Sequence, residues 1–234
     1  MRLMTSAVLL AIGMAHQGRA QVAATKYTKM APVDQYLMAD RGAEIALART
    51  AAPASISRDA EVLVLGRHGF ESAVKGKNGF VCFVGRGWSS APDADFWNPN
   101  VRVPMCVNAP AARSYLLRII KINDLALMGR TPAQVNEAMA AAVEKKELPP
   151  MEPGAMCYMM SKEGDGGDRI PHWPSHLMFF FSDVDPAIWG ANRPGSPVLG
   201  VADSSERLTQ FVVPVQHWSD GTDDRPASPT HARQ

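Results

Sequence analysis

PAARSYLLRIIKINDLALMGRTPAQVNEAMAAAVE, from Pro110 to Glu144, decides the reading of this chain. Leu116, Ile119, Ile120 and Leu127 recur at helical spacing and predict one helix over 110–128. Thr131-Pro132-Ala133-Gln134 opens a second helix. Thr131 can cap it, Pro132 suits the first turn, and Gln134 completes a capping box. Val135, Met139, Ala142 and Val143 form its buried stripe. Gly129-Arg130 leaves only a tight connection, so the two helices form a hairpin.

Strands lie on both sides of that hairpin. Before it come Glu61 to Leu65, the alternating Phe70 to Lys75, and Phe80 to Val84. Asn78-Gly79 carries a hairpin-turn signal, and such short connections predict an antiparallel meander. After it come Ala155 to Ser161, His176 to Ser182, Val198 to Val201 and Thr209 to Trp218. Phe179-Phe180-Phe181 is apolar on both faces, which predicts a central strand covered on both sides. Pro214 argues for an edge or a bulge. A further helix is expected from Pro32-Val33-Asp34 to about Thr50, and Gly85 to Pro104 reads as a long loop. Strands, a helical hairpin and strands again do not alternate as a doubly wound sheet does. The pattern predicts α+β: a largely antiparallel sheet with the hairpin and the N-terminal helix packed on one face.

Outward from this frame, Met1-Arg2 gives a basic start and Leu3 to Ala15 is an uncharged, mostly apolar run. Gly18-Arg19-Ala20 offers small residues at cleavage spacing. The run is shorter than the roughly 20 apolar residues that span a bilayer. Residues 1–20 therefore read as a secretory signal peptide, residues 33–218 as a single domain, and 219–234 as a disordered polar tail. The expected setting is export, periplasmic or extracellular. The leader holds Arg2 and Arg19 and no acidic residue, so the +1 formal charge of the whole chain turns slightly acidic without it. That balance gives no footprint for nucleic acid or for a membrane surface once the leader is gone.

Three cysteines meet an oxidising compartment in this reading: Cys82, Cys106 and Cys157. Cys82 with Cys106 is the preferred disulfide. It closes a loop of about 25 residues, for which chain entropy credits about 3.5 kcal/mol. Spacing does not settle connectivity, and Cys157 with either partner, or three buried thiols, remain open.

The chain carries no HExxH, Walker, GxSxG, GxGxxG or CxxC signature. Its richest stretch is Met151 to Phe181. His172 and His176 sit in a loop entering a strand, and His217 ends another strand. Three imidazoles can hold zinc with an open position, although Pro174 prevents a regular helix from presenting the first two. The alternative is a surface His172 and a backbone-bonded His176. Met156, Met159 and Met160 invite copper, but strand alternation splits them between faces and makes them core filler. Trp88, Trp97 and Trp173 lie in expected loops and either form a recognition patch or cover the core.

Four segments carry a resemblance: Glu44 to Arg49, Asn78 to Val84, Pro171 to Phe180, and Trp189-Gly190-Ala191-Asn192. Together they resemble a family of exported bacterial proteins of uncharacterised function. The resemblance implies an envelope or secreted setting and supplies no activity, cofactor or catalytic residue. Two functions of different class stand as expectations. One is a non-catalytic exported domain that binds a small ligand or a protein partner through the loops around Trp88, Trp97, Trp173 and His172–His176. The other is an exported metal-dependent hydrolase using His172, His176 and His217.

Overall fold

The computed structural model describes residues 26–89, 95–168 and 174–224. The signal-peptide segment, His172 and Trp173 lie outside them. Eight strands make one mostly antiparallel sheet: β1 (Glu61–Gly66), β2 (Gly69–Val74), β3 (Val81–Gly85), β4 (Val103–Val107), β5 (Met156–Met159), β6 (His176–Phe181), β7 (Leu199–Asp203) and β8 (Leu208–Pro214). Their order is β2-β1-β3-β4-β5-β6-β8-β7. Among the described residues the helices are α1 (Arg41–Arg49), α2 (Ala54–Ser57), α3 (Ala109–Ala112), α4 (Tyr115–Leu127) and α5 (Pro132–Glu144). The class is α+β, as the sequence predicts.

The expected meander is corrected at β3, which pairs with β1 in parallel and not with β2. Asn78 closes no hairpin. Its amide bonds Ile56 O and Phe80 N–H, while Lys77 N–H reaches Asp59 O and Glu61 N–H reaches Phe80 O. The chain thus passes the start of β1 and emerges on its far side. Gly76 permits the crossing, because a Cβ there would lie 2.3 Å from Glu61 N. The expected loop 85–104 ends in β4. Pro104 within it pairs Val84 on β3, while β5 pairs β4 only at Cys106 and Val107.

Two expected helices are broken. The segment from 33 begins as a 3-10 turn, Val33–Gln35, and α1 starts only at Arg41, where Asp40 accepts Gly42 N–H at 2.7 Å. The bend buries Tyr36, whose hydroxyl donates to Trp97 O at 2.9 Å. The 110–128 helix divides at Arg113-Ser114 into α3 and α4. The capping box at Thr131 and Gln134 is present as read.

Side-chain alternation sorts the core into two layers. Val81, Phe83, Met105, Val107, Cys157 and Phe180 face the front, where α4 brings Tyr115, Leu116 and Ile119. Val62, Cys82, Val84 and Cys106 face the back, where α1 brings Ala48 and the alanines that follow it. The hairpin and α1 therefore lie on opposite faces, which corrects the expectation of helices on one face. Cys82 and Cys106 are direct cross-strand partners with Cα atoms 4.0 Å apart, and they form the disulfide. Cys157 pairs Val107, one position along β4, so its side chain points to the other face and it stays a buried thiol.

The tail expected from residue 219 is ordered at its start. Trp218 N–H bonds Thr222 O, and Asp224 N–H bonds Gln216 O, closing a small hairpin. Residues 225–234 lie outside the described residues.

Candidate functional site

The strand pairings bring one set of loops to one end of the sheet. Gly85 opposes Val103, Met159 opposes His176, and His176 opposes Pro214. The described parts of 86–102 and 160–175, and residues 215–224, therefore meet there, and with them every described residue that the sequence singled out for binding or metal. These segments interlock. Arg102 and Asp165 exchange two backbone hydrogen bonds, of 2.9 and 2.8 Å. Gly167, at φ +94°, lies so near Asp95 that a Cβ would come within 2.9 Å of its carboxyl carbon. The crevice among Arg102, Pro104, Met159, Ser161 and Asp165 has no room for a water molecule.

Trp88 and Trp97 are 1% and 4% exposed. Their rings meet edge to face at 6.2 Å, with Tyr36 and Phe96 packed alongside. Trp88 Nε1 donates to Asn123 Oδ1 on α4. These indoles cover the end of the core and offer no surface for a recognition patch. Beneath them lies a fully buried ion pair that the sequence reading missed. Arg86 Nη2 donates to Glu44 Oε1 at 2.8 Å, Nε to Tyr36 O and Nη1 to Val84 O. Glu44 Oε1 also accepts Leu65 N–H. Burial pulls the Arg86 guanidinium below its ordinary value, and Glu44 opposes that shift.

His176 opens β6 as a buried residue, with Nδ1 donating to Pro174 O at 2.6 Å. Burial holds its pKa below the ordinary imidazole value. His217 is half exposed, with Nε2 3.2 Å from Asp223 Oδ1. Ser175 Oγ donates to His217 O, so the two histidines sit on adjoining backbone. Among the described residues, no group of three or more His, Cys, Asp or Glu side chains can hold a metal ion. A zinc site at His176 and His217 would need a ligand outside the described residues, where the expected His172 lies. Ser161 Oγ lies 2.6 Å from Thr50 Oγ1, and Ser175 Oγ serves His217 O. Burial pushes the Cys157 thiol up to about 12, so it carries almost no thiolate near neutrality.

The back face holds the other candidate. α1 packs on β1, β3 and β4. At the far side a 3-10 turn, Pro186–Trp189, lies against β7, where Gly200 admits Pro186 and Ala191. Trp189 stacks on Phe211 at 4.2 Å and meets Phe181 at 5.3 Å. Between these covers, Met156 and Tyr158 on β5, Leu177 and Phe179 on β6 and Val213 on β8 share the back face and stay partly open. Ile188 is 71% exposed and Trp189 40%. Phe180 is sealed by Tyr115, stacked at 3.6 Å. The Phe179–Phe181 run is thus central, with Tyr115 of α4 over Phe180 on the front and Trp189 beside Phe179 and Phe181 on the back.

Asn192 finishes this corner. At φ +61° its side chain accepts Gly200 N–H and donates to Gly200 O, which occupies the outer edge of β7 as a neighbouring strand would. A second depression, of about 650 Å3, lies between α5 and the β7–β8 turn. It is bordered by Glu137, Glu144, Ser204, Ser205 and Arg207, and Arg207 is already bonded to Asp183.

Comparison with protein-family models, with curated proteins and with solved structures finds no match. Among the described residues no helix is long and apolar enough to cross a membrane.

Proposed function

We propose that this chain is an exported domain that works by binding a protein partner, and that the contact is made by the back face of β5, β6 and β8. One observation carries the reading. Tyr158, Leu177 and Phe179 stay partly open on the back face beside Ile188, which is 71% exposed, while α1 covers β1, β3 and β4. Monomeric proteins rarely leave contiguous apolar surface of this kind without a use for it. Export is supported by the leader-like residues 1–20 and by the Cys82–Cys106 disulfide, which suits an oxidising compartment. The resemblance to exported bacterial proteins points the same way.

The test is a hydrophobic probe. Anilinonaphthalene sulfonate should bind the native protein with enhanced fluorescence, and Ile188→Asp should weaken that binding severalfold without moving the unfolding midpoint. A native protein that leaves the dye dark would overturn the reading.

A further inference from the structure

We infer that Asn78 is a site of spontaneous covalent modification. Its side-chain amide is lost to water through a succinimide formed with Gly79, and the product loosens the β1–β2 hairpin from the rest of the sheet.

The crossing from β2 to β3 holds this pair of residues in place. Gly79 sits at φ +79°, in the left-handed region that a side chain resists, and a Cβ there would lie 3.2 Å from Ala109 Cβ. Asn78 both gives and takes a hydrogen bond. Its Nδ2 donates to Ile56 O at 2.7 Å, and its Oδ1 accepts Phe80 N–H at 3.1 Å. An amide on a short side chain meets both needs. Asn-Gly is therefore kept by the crossing, although it closes no hairpin.

The same arrangement favours the reaction. The Gly79 nitrogen attacks Asn78 Cγ. A C–N bond closes the succinimide ring, and the side-chain nitrogen leaves as ammonia, carrying the proton that Gly79 gives up. Water then opens the ring at either carbonyl and leaves aspartate, or isoaspartate with the main chain rerouted through the side chain. One water is consumed and one ammonia released, and neither oxidant nor cofactor is needed. Phe80 N–H is bonded to the oxygen on which negative charge collects in the tetrahedral intermediate, as an oxyanion donor is. Among the described residues none accepts the Gly79 N–H, so no bond holds the attacking nitrogen back. Both residues are exposed, so water and hydroxide reach them. Glycine has no Cβ to crowd the ring closure, whereas every other asparagine in the chain is followed by a residue that carries a side chain.

The consequence follows from what pins the crossing. Lys77 N–H bonds Asp59 O, and Glu61 N–H bonds Phe80 O, so the chain is fixed on both sides of Asn78. Isoaspartate adds a methylene to the main chain between those two points. Either product also lacks the N–H that serves Ile56 O. Beyond the crossing, β3 holds β1 through two residue pairs, Glu61 with Val81 and Val62 with Cys82. Strain at Asn78 falls on this short ladder, and β2, at the sheet edge beyond β1, moves with it.

Ageing tests the inference. The native protein and a peptide of residues 75–81 are held together in mildly alkaline buffer, then digested and mapped by mass spectrometry. Asn78 should convert to aspartate and isoaspartate in both, with the other asparagines of the native protein intact. In the converted protein the amides of β1 and β2 should exchange with solvent at least about tenfold faster, while those of β6 and β8 hold their rates. Asn78→Gln is the control. It keeps an uncharged amide but must close a larger ring, so its exchange pattern should not change on ageing. A native protein that keeps Asn78 after the peptide has lost it overturns the site. Converted protein whose β1 and β2 amides exchange as before, or an Asn78→Gln protein that loosens equally on ageing, overturns the consequence.

Discussion

Glu44→Ala removes one partner of the Arg86–Glu44 pair and leaves the other with no exposure to water. The Arg86 side chain is 0% exposed and that of Glu44 2%. Breaking a buried pair in this way costs about 3–5 kcal/mol, because the surviving charge stays desolvated without its counter-ion. Leu65 N–H loses its acceptor as well, for about another 1 kcal/mol. Against a typical stability of about 5–15 kcal/mol this is a large fraction. With a urea slope of about 3 kcal/mol per molar, the unfolding midpoint should fall by more than about 1 M. Glu44→Gln keeps an acceptor for both donors and should cost about half as much. The double variant Glu44→Leu with Arg86→Met removes the isolated charge, although it strands the carbonyls of Tyr36 and Val84. It should be less damaging than the sum of its single substitutions by at least about 1 kcal/mol. The assay is equilibrium urea unfolding followed by tryptophan fluorescence, since Trp88 and Trp97 lie in the core above the pair. A Glu44→Ala midpoint within about 0.3 M of the parent, or strict additivity in the double variant, would refute the reasoning.

Burial lowers the His176 pKa, so below the ordinary imidazole value near 6.5 the unfolded chain binds a proton that the folded chain resists. Stability is therefore complete above that value and is lost as pH falls below it, by at most about 1.4 kcal/mol per pH unit. Urea midpoints between pH 7.5 and 5 should flatten in His176→Gln, and parallel profiles would contradict this. Cys157 should resist thiol reagents in the native protein at pH 8, and denaturation without reductant should release one thiol per chain; a count of three would reject the disulfide. Asn192→Ala should cost about 2 kcal/mol, from two lost hydrogen bonds and a left-handed backbone position. Asn192→Gly should recover only the backbone share, and equal midpoints for the two variants would dismiss the backbone contribution. Protein purified without chelator should hold substoichiometric metal, unchanged by His176→Ala; stoichiometric zinc lost in that variant would instead favour the hydrolase.

Local signals in this chain were legible where one segment decides its own structure. The capping box at Thr131 and Gln134 and the stripe of Val135, Met139 and Ala142 are written within a single helix. The paired strand residues Cys82 and Cys106 could be proposed from loop length and compartment. The candidate site was less legible. Trp88 and Trp97 look alike as loop residues whether they face water or core, and only the packing of Tyr36, Phe96 and α4 around them buries both. His176 and His217 are placed by how β6 and β8 pair, which no spacing between them records.

The types of most elements and the apolar character of Phe179 to Phe181 follow from periodicity, capping and turn chemistry, all of which act over a few residues, whereas β4 was not read from the sequence. Tertiary structure alone decided that β3 lies parallel to β1, that α1 and α4 take opposite faces, that Cys157 points away from the disulfide, and that Arg86 meets Glu44. These depend on which distant surfaces exclude water together. A half-covered sheet face is likewise a property of where α1 stops, and no segment of the chain encodes that by itself.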